Sequence, residues 1–275
     1  MNLFFILFIF FISILILTLT KGEWMYFRLN NCKHALIIGA GHGIGLGIVQ
    51  NLLENYSGMH VTATYRKRES ALDLLSLEKL FPNNLHVYQL DPTKEEQIKN
   101  MALELVDSSF DLIINSVGML HDIELNPEKS LKEFDPENFI RIIQVNAMVT
   151  PLIGKYFEKN LSNTPSLFAS ISAKVGSIED NKIGGWYSYR TSKAALNMLI
   201  KNISIEFERK RKKCVVLAIH PGTTKTILSE PFIGRTSYII HETHETASNI
   251  LNTINNRELS ETGKFLSWDG GEIPW

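Results

Sequence analysis

Ala35-Leu-Ile-Ile-Gly-Ala-Gly-His-Gly-Ile-Gly45 is the stretch that decides the fold. Four apolar residues in a row read as a strand buried on both faces. Glycines at 39, 41, 43 and 45 follow at once, and a helical pattern starts at Ile44. Glycine lets the backbone turn sharply and approach a ligand closely. A helix that starts there aims free N–H groups and the positive end of its dipole at an anion. Any tight turn uses glycine, so the segment alone is weak evidence. Its position between a strand and a helix, in the first such unit of the chain, points to a dinucleotide pyrophosphate held by the stretch 39–45.

The same alternation continues outward from this unit. Short β-type runs fall at 35–38, 60–64, 85–90, 110–115, 166–170, 214–219 and 264–267. Helical patterns fall between them at 44–55, 68–80, 94–106, 136–159, 188–212 and 242–255. Strand–helix alternation predicts an α/β fold: a doubly wound, Rossmann-type parallel sheet in three αβα layers, with ligands beyond the C-terminal strand ends. With no internal repeat and no linker, residues 25–275 read as one nucleotide-binding domain.

Composition bounds the function. Lys plus Arg is 28 and Asp plus Glu is 29, a formal charge of −1 over 275 residues. That balance gives no electrostatic footprint for nucleic acid. Two cysteines, Cys32 and Cys214, exclude a disulfide scaffold and a Cys-rich zinc site and fit a reduced compartment. Residues 3–20 carry no charge, and 18 residues of helix would span about 27 Å. The leader 1–24 therefore reads either as a membrane anchor, with Lys21, Arg28 and Lys33 holding the rest in the cytoplasm, or as a mis-assigned start before Met25 of a cytoplasmic protein.

Three further stretches carry chemistry. The second strand ends in Arg66-Lys-Arg68, where a site for NAD usually offers a carboxylate to the ribose hydroxyls. Arginine pairs with a 2′-phosphate, so the reading is NADP(H), with Arg66 as the main contact. In Trp186-Tyr-Ser-Tyr-Arg-Thr-Ser-Lys193, Tyr189 and Lys193 are one helical turn apart. An ammonium beside a phenol favours phenolate and would lower its pKa, making Tyr189 a candidate general acid/base. Tyr187 has Thr191 at the same spacing and reads as packing or a substrate-pocket wall. Upstream, Leu167-Phe-Ala-Ser-Ile-Ser172 ends a buried strand with hydroxyls able to orient a carbonyl oxygen.

From His34 onward, these pieces together resemble the short-chain dehydrogenase/reductases. The resemblance implies that Asp91 meets adenine, that Asn115-Ser-Val-Gly118 lies beside the cofactor, and that Asn146 anchors a water in a proton relay. It also implies that Gly39, Gly43, Ile44 and Gly45 hold the pyrophosphate, that Tyr189 and Lys193 form the catalytic pair and also contact the cofactor, Lys193 at the nicotinamide ribose, and that Pro221, Gly222 and Thr226 flank the nicotinamide. Ser172-Ala-Lys-Val-Gly-Ser-Ile178, Leu228-Ser-Glu-Pro-Phe232 and the ending Trp268-Asp-Gly-Gly-Glu-Ile-Pro-Trp275 look like the C-factor-like and sniffer-like carbonyl reductases. The departures are Ile38 in place of a threonine, His42 in place of an arginine, and a longer segment 172–189. Counting back from Gly176 puts Ala173 in the family's serine register. Ser172 stands next to it as the carbonyl-orienting hydroxyl, with Ser170 as the fallback.

The implied activity is carbonyl–alcohol interconversion with NADP(H) on a small-molecule substrate. A rival reading is a C-factor-like signalling protein that binds nucleotide with little turnover. The helices at 136–159 and 188–212 are the family's usual dimer faces, which leaves room for a homodimer. Residues 223–240, with Phe232, Ile233 and Tyr238, read as an apolar lid. His241-Glu-Thr-His244 lacks the spacing of a zinc helix, and no metal is expected. Arg209-Lys-Arg-Lys-Lys213 closes a helix, where cations complement the dipole. Cys214 reads as an inert core thiol.

Overall fold

A computed structural model describes residues 26–234 and 239–275. The leader and Tyr238 lie outside the described residues. Seven strands form one parallel sheet: β1 His34–Ile38, β2 His60–Tyr65, β3 Leu85–Gln89, β4 Leu112–Asn115, β5 Ser166–Ile171, β6 Cys214–His220 and β7 Lys264–Ser267. Their order across the sheet is β7-β6-β5-β4-β1-β2-β3, so the winding reverses between β1 and β4. All seven runs read from the sequence are strands here.

Period-two alternation explains the layers. Ala35 and Ile37 of β1, Leu112 and Ile114 of β4, and Val215, Leu217 and Ile219 of β6 face one core. That core is closed by Ile48, Val49 and Leu52 of helix α1 (Gly43–Asn55) and by Leu74 of α2 (Leu72–Leu80). Leu36, Ile38, Ile113, Phe168, Val216 and Ala218 face the other core. There Ile98 and Met101 of α3 (Glu95–Glu104) cover them. A fully buried side chain of this size contributes about 1.5–3 kcal/mol, so both faces of the sheet are anchored.

The pattern at 136–159 predicts one helix, and the structure differs. Helix α4 (Pro136–Ile143) runs into a π-helical turn at Gln144–Met148 and then into α5 (Val149–Phe157). The extra residue per turn turns Asn146 into the interior, where it is fully buried. Helix α6 (Tyr187–Arg209) packs on the same face, with Leu196 and Ile200 in the core. Helix α7 (Thr243–Ile254) packs with α1, sending Ala247, Ile250 and Leu251 into the first core.

Chain ahead of β1 also joins the domain. Tyr26–Phe27 pairs antiparallel with Arg257–Glu258, and Phe27 and Leu29 are fully buried. Among the described residues, no helix is long and apolar enough to cross a membrane.

Candidate active site

The glycine turn after β1 is clamped from both neighbouring strands. Gly39 has φ +85°, a conformation that suits glycine. Its N–H donates to Thr64 Oγ1 at 3.1 Å, and the Ala40 N–H donates to the Thr64 carbonyl at 2.7 Å. From the β4 side, Ser116 Oγ donates to the carbonyl oxygens of Ile38 (3.0 Å) and Gly39 (2.8 Å). Thr64 thus supplies the hydroxyl that Ile38 lacks. Sequence reasoning missed both clamps. The parallel register that sets Ile37 opposite Ala63 carries the signal for Thr64, since it places Thr64 level with the turn.

A side chain at Gly45 would lie 2.4 Å from the Gly39 carbonyl oxygen, so only glycine lets the first turn of α1 sit this close to β1. His42 is the extended N-cap of α1 and makes no side-chain cap. Thr226 faces this loop, its Cγ2 3.6 Å from where a Gly43 Cβ would be. Gly222 presses against Trp268 and so fixes the start of the Pro221–Thr226 stretch.

Arg66 and Lys67 are exposed and line a cavity of about 770 Å³ together with Leu90, Asp91, Met101 and Arg141. Burial, with the adjacent Arg66 charge, holds the His42 imidazole below its usual range. Gly41 packs against Tyr65, its Cβ position 3.2 Å from Tyr65 Cβ, so Arg66, the next residue, starts beside the glycine turn. One carboxylate oxygen of Asp91 accepts from the Thr93 N–H (3.0 Å) and hydroxyl (2.7 Å), which fixes the loop after β3.

The second half of the site gathers at the ends of β4 and β5. Asn115 Nδ2 donates to Thr150 Oγ1 at 2.9 Å, and Thr150 in turn meets Ser170 Oγ at 2.9 Å. Ser170, the fallback carbonyl-orienting group, is therefore tied into a buried chain of hydroxyls. Asn146 Oδ1 accepts from the Met119 N–H at 2.7 Å. Its Nδ2 donates to the Met119 carbonyl (2.8 Å) and to Ser192 Oγ (2.9 Å). One Oδ1 lone pair is left over for a water. Gly118 lies beside both partners, its Cβ position 3.6 Å from Lys193 Nζ and 3.9 Å from Asn146 Oδ1.

Lys193 Nζ donates to the Ile171 carbonyl at 2.9 Å and lies 5.8 Å from the centre of the Tyr189 ring. Burial lowers the Lys193 ammonium to about 8 and pushes the Tyr189 phenol above its ordinary range. The lowered phenol expected from the Tyr189–Lys193 spacing is thus corrected for the free protein, because desolvation penalises both charged forms. At neutral pH the phenol keeps its proton, as a donor must.

Ser172 follows Ile171, and its hydroxyl is turned toward α6. That hydroxyl is buried and donates to Asn197 Oδ1 at 2.6 Å. Asn197 lies eight residues past Tyr189 on α6, about 12 Å of helix rise. Around Tyr189 the structure instead sets rings. Trp186 packs edge-on to Tyr189 (6.1 Å between centres) and to Phe232 (5.2 Å), and Phe232 meets His121 (5.5 Å). Trp186 and His121 are wall residues that sequence reasoning did not single out. Among the described residues, no group of three or more His, Cys, Asp or Glu side chains could hold a metal.

This arrangement, with a glycine turn at the switch point and a Tyr–Lys pair beside it, defines a nucleotide-dependent oxidoreductase fold. Residues 33–233 match the family model for short chain dehydrogenases, and the chain belongs to that family. It is 26% identical over 242 residues to 1-hydroxy-2-glutathionyl-2-methyl-3-butene dehydrogenase of Rhodococcus sp. (strain AD45), covering 87% of this chain and 98% of the relative. An NADPH-bound carbonyl reductase from chicken fatty liver superimposes with a TM-score of 0.78 at 27% identity, covering 92% of this chain and 97% of that one. The carbonyl reductase Sniffer of D. melanogaster gives 0.76 at 25% identity, covering 88% and 99%. The family uses a nicotinamide cofactor, and the uncapped first turn of α1 and the cavity beside Arg66 fit one.

Proposed function

We propose that the chain is an NADP(H)-dependent carbonyl reductase with Tyr189 as its proton donor. The observation that carries the reading is the convergence of Tyr189, Lys193, Asn146 and Gly118 at the C-terminal ends of β4 and β5. When bound, the reduced nicotinamide supplies the hydride. The first-turn amides of α1 would hold the pyrophosphate, and Arg66 the 2′-phosphate. Asp91 would meet adenine. Asn115, Gly118, Pro221, Gly222 and Thr226 would bound the nicotinamide end.

The chain's own residues manage the proton. Tyr189 gives its phenolic proton to the oxygen of the substrate as that oxygen gains charge. Lys193, still protonated below about pH 8, stabilises the phenolate left behind. Asn146 holds Met119 and Ser192 and offers its remaining acceptor to a water that carries the returning proton. Ser172 braces α6 through Asn197 and takes no part at the oxygen.

Tyr189 also argues against the signalling reading. A module that only bound nucleotide could use the Lys193 ammonium at a ribose hydroxyl, but it would have no need of a buried phenol beside that ammonium. The test is NADPH oxidation with a panel of aldehydes and ketones, using a chain that starts at Met25. Turnover of at least one carbonyl, abolished in Tyr189→Phe, is expected. Tight NADPH binding with no turnover on any of them would favour the signalling reading.

A further inference from the structure

We infer that Glu128 is a positioning residue for Tyr189, acting through the first turn of α6. The inference rests on the reading of Tyr189 as proton donor. Glu128 lies in the loop between β4 and α4 and is buried. Both its carboxylate oxygens accept from the Ser188 N–H, at 3.2 and 3.3 Å, and one also accepts from the Ser188 hydroxyl. Its main-chain carbonyl accepts from the Trp186 N–H at 2.5 Å. All these partners belong to the start of α6, and none is a cation.

A helix needs acceptors for its first free N–H groups, and the usual source is a Ser, Thr, Asp or Asn at the N-cap. In α6 that slot holds Trp186, in the left-handed region at φ 50° and with no capping side chain. The Trp186 ring is used elsewhere, against Tyr189 and Phe232. The cap is therefore delivered from a residue 60 positions earlier. Dehydrating a carboxylate is costly, and here the helix amides and dipole offset that cost.

The loop is built to make the delivery. Asp122 Oδ1 accepts from the Glu124 and Leu125 N–H groups at 2.9 and 3.0 Å, and Asp122 also pairs with Arg141 of α4. Leu125 is buried. Glu128 thus fixes both the left-handed entry at Trp186 and the residue before Tyr189. A first turn free to fray would let the phenol drift from its acceptor.

The test uses 4-nitrobenzaldehyde and NADPH, well below the melting transition. Glu128→Ala is expected to lower kcat by about tenfold or more while the NADPH Kd stays within about twofold, because small misplacements of a reacting group are costly in rate. Glu128→Gln keeps an acceptor of the same shape and should retain about half of kcat or more. Ser188→Ala should cost less than Glu128→Ala, and the double variant should be no worse than Glu128→Ala alone. Amide exchange at 188–190 should quicken in Glu128→Ala while the rest of α6 stays protected. A cap that serves stability alone would lower Tm and leave kcat intact, and that result overturns the inference. Equal impairment in Gln and Ala overturns it as well, since charge rather than geometry would then be acting. If Glu128→Ala does not fold, Ser188→Ala decides, and an unchanged kcat there sinks the idea. Loss of turnover in Tyr189→Phe but not in Glu128→Ala removes this inference only. Full turnover in both removes the reading of Tyr189.

Discussion

Helices α1 and α6 both begin on the side of the sheet where the strands end, and neither carries a capping side chain of its own. Their solutions are opposite. At α1 a glycine turn keeps side chains away from the first turn, so its amides face the space where an anion would sit. At α6 a distant carboxylate fills the gap and leaves no anion site. One helix start is kept open to bind, and the other is closed to hold a side chain still. Cofactor binding and proton transfer should therefore respond to different substitutions.

The sharpest way to break that division is at Tyr189. Tyr189→Phe deletes one hydroxyl and little volume. It is expected to lower kcat about 10²–10⁴-fold while NADPH titration gives an unchanged Kd. A loss under threefold, or an equal loss in Tyr187→Phe, would move the proton donor elsewhere.

Arg66 tests the open side alone. Losing a charge-assisted pair costs about 1.5–3 kcal/mol, so Arg66→Asp should reduce the preference for NADPH over NADH by roughly 10–100-fold. Turnover at saturating cofactor should change little. Steady-state kinetics with both cofactors reads the ratio, and equal use of the two by the unmodified chain contradicts the assignment.

Much of this division is legible in the sequence, and the limits follow from sequence separation. The seven strands are short apolar runs whose burial on both faces is a local property, so each is readable in place. The glycine turn and the Tyr–Lys spacing are local patterns too. Thr64, Ser116, Glu128 and the partner of Ser172 act across 25 or more residues, and no local pattern names such a partner. The π turn escapes for the same reason, since the contact that accompanies it is Asn146 with Met119, 27 residues away. The phenol is misjudged from sequence because spacing shows a nearby ammonium but not how deeply both groups are buried.

Ser172 sharpens the comparison from the closed side. If it braces α6 rather than touching substrate, Ser172→Ala should change kcat by less than about threefold. It leaves buried Asn197 Oδ1 without its donor, which costs about 1–3 kcal/mol and lowers Tm by several degrees. Thermal unfolding and kinetics on one preparation separate the outcomes. A hundredfold loss of kcat with an unchanged Tm would return Ser172 to the substrate oxygen.

The smallest expected effect concerns neither helix but the strand end beside them. Burial and the Lys174 charge hold the His220 imidazole down at about 4, against the opposing pull of Asp269 and Asp180, and its Nδ1 is unpartnered among the described residues. In the unfolded chain a histidine takes up its proton near 6.5. The folded state therefore binds fewer protons between those values, so stability is complete above about pH 6.5 and falls as the pH drops toward 4. For one such histidine the loss is about 2 kcal/mol at pH 5. Carboxylates titrate in the same range, so the informative quantity is the difference between the parent and His220→Gln. His220→Gln should be less stable than the parent at pH 7.5, and the gap should narrow as the pH falls to 5. Urea unfolding at both pH values measures it. A gap that stays constant would mean that His220 does not titrate in this range, and a gap that widens would mean that its charged form is favoured in the fold.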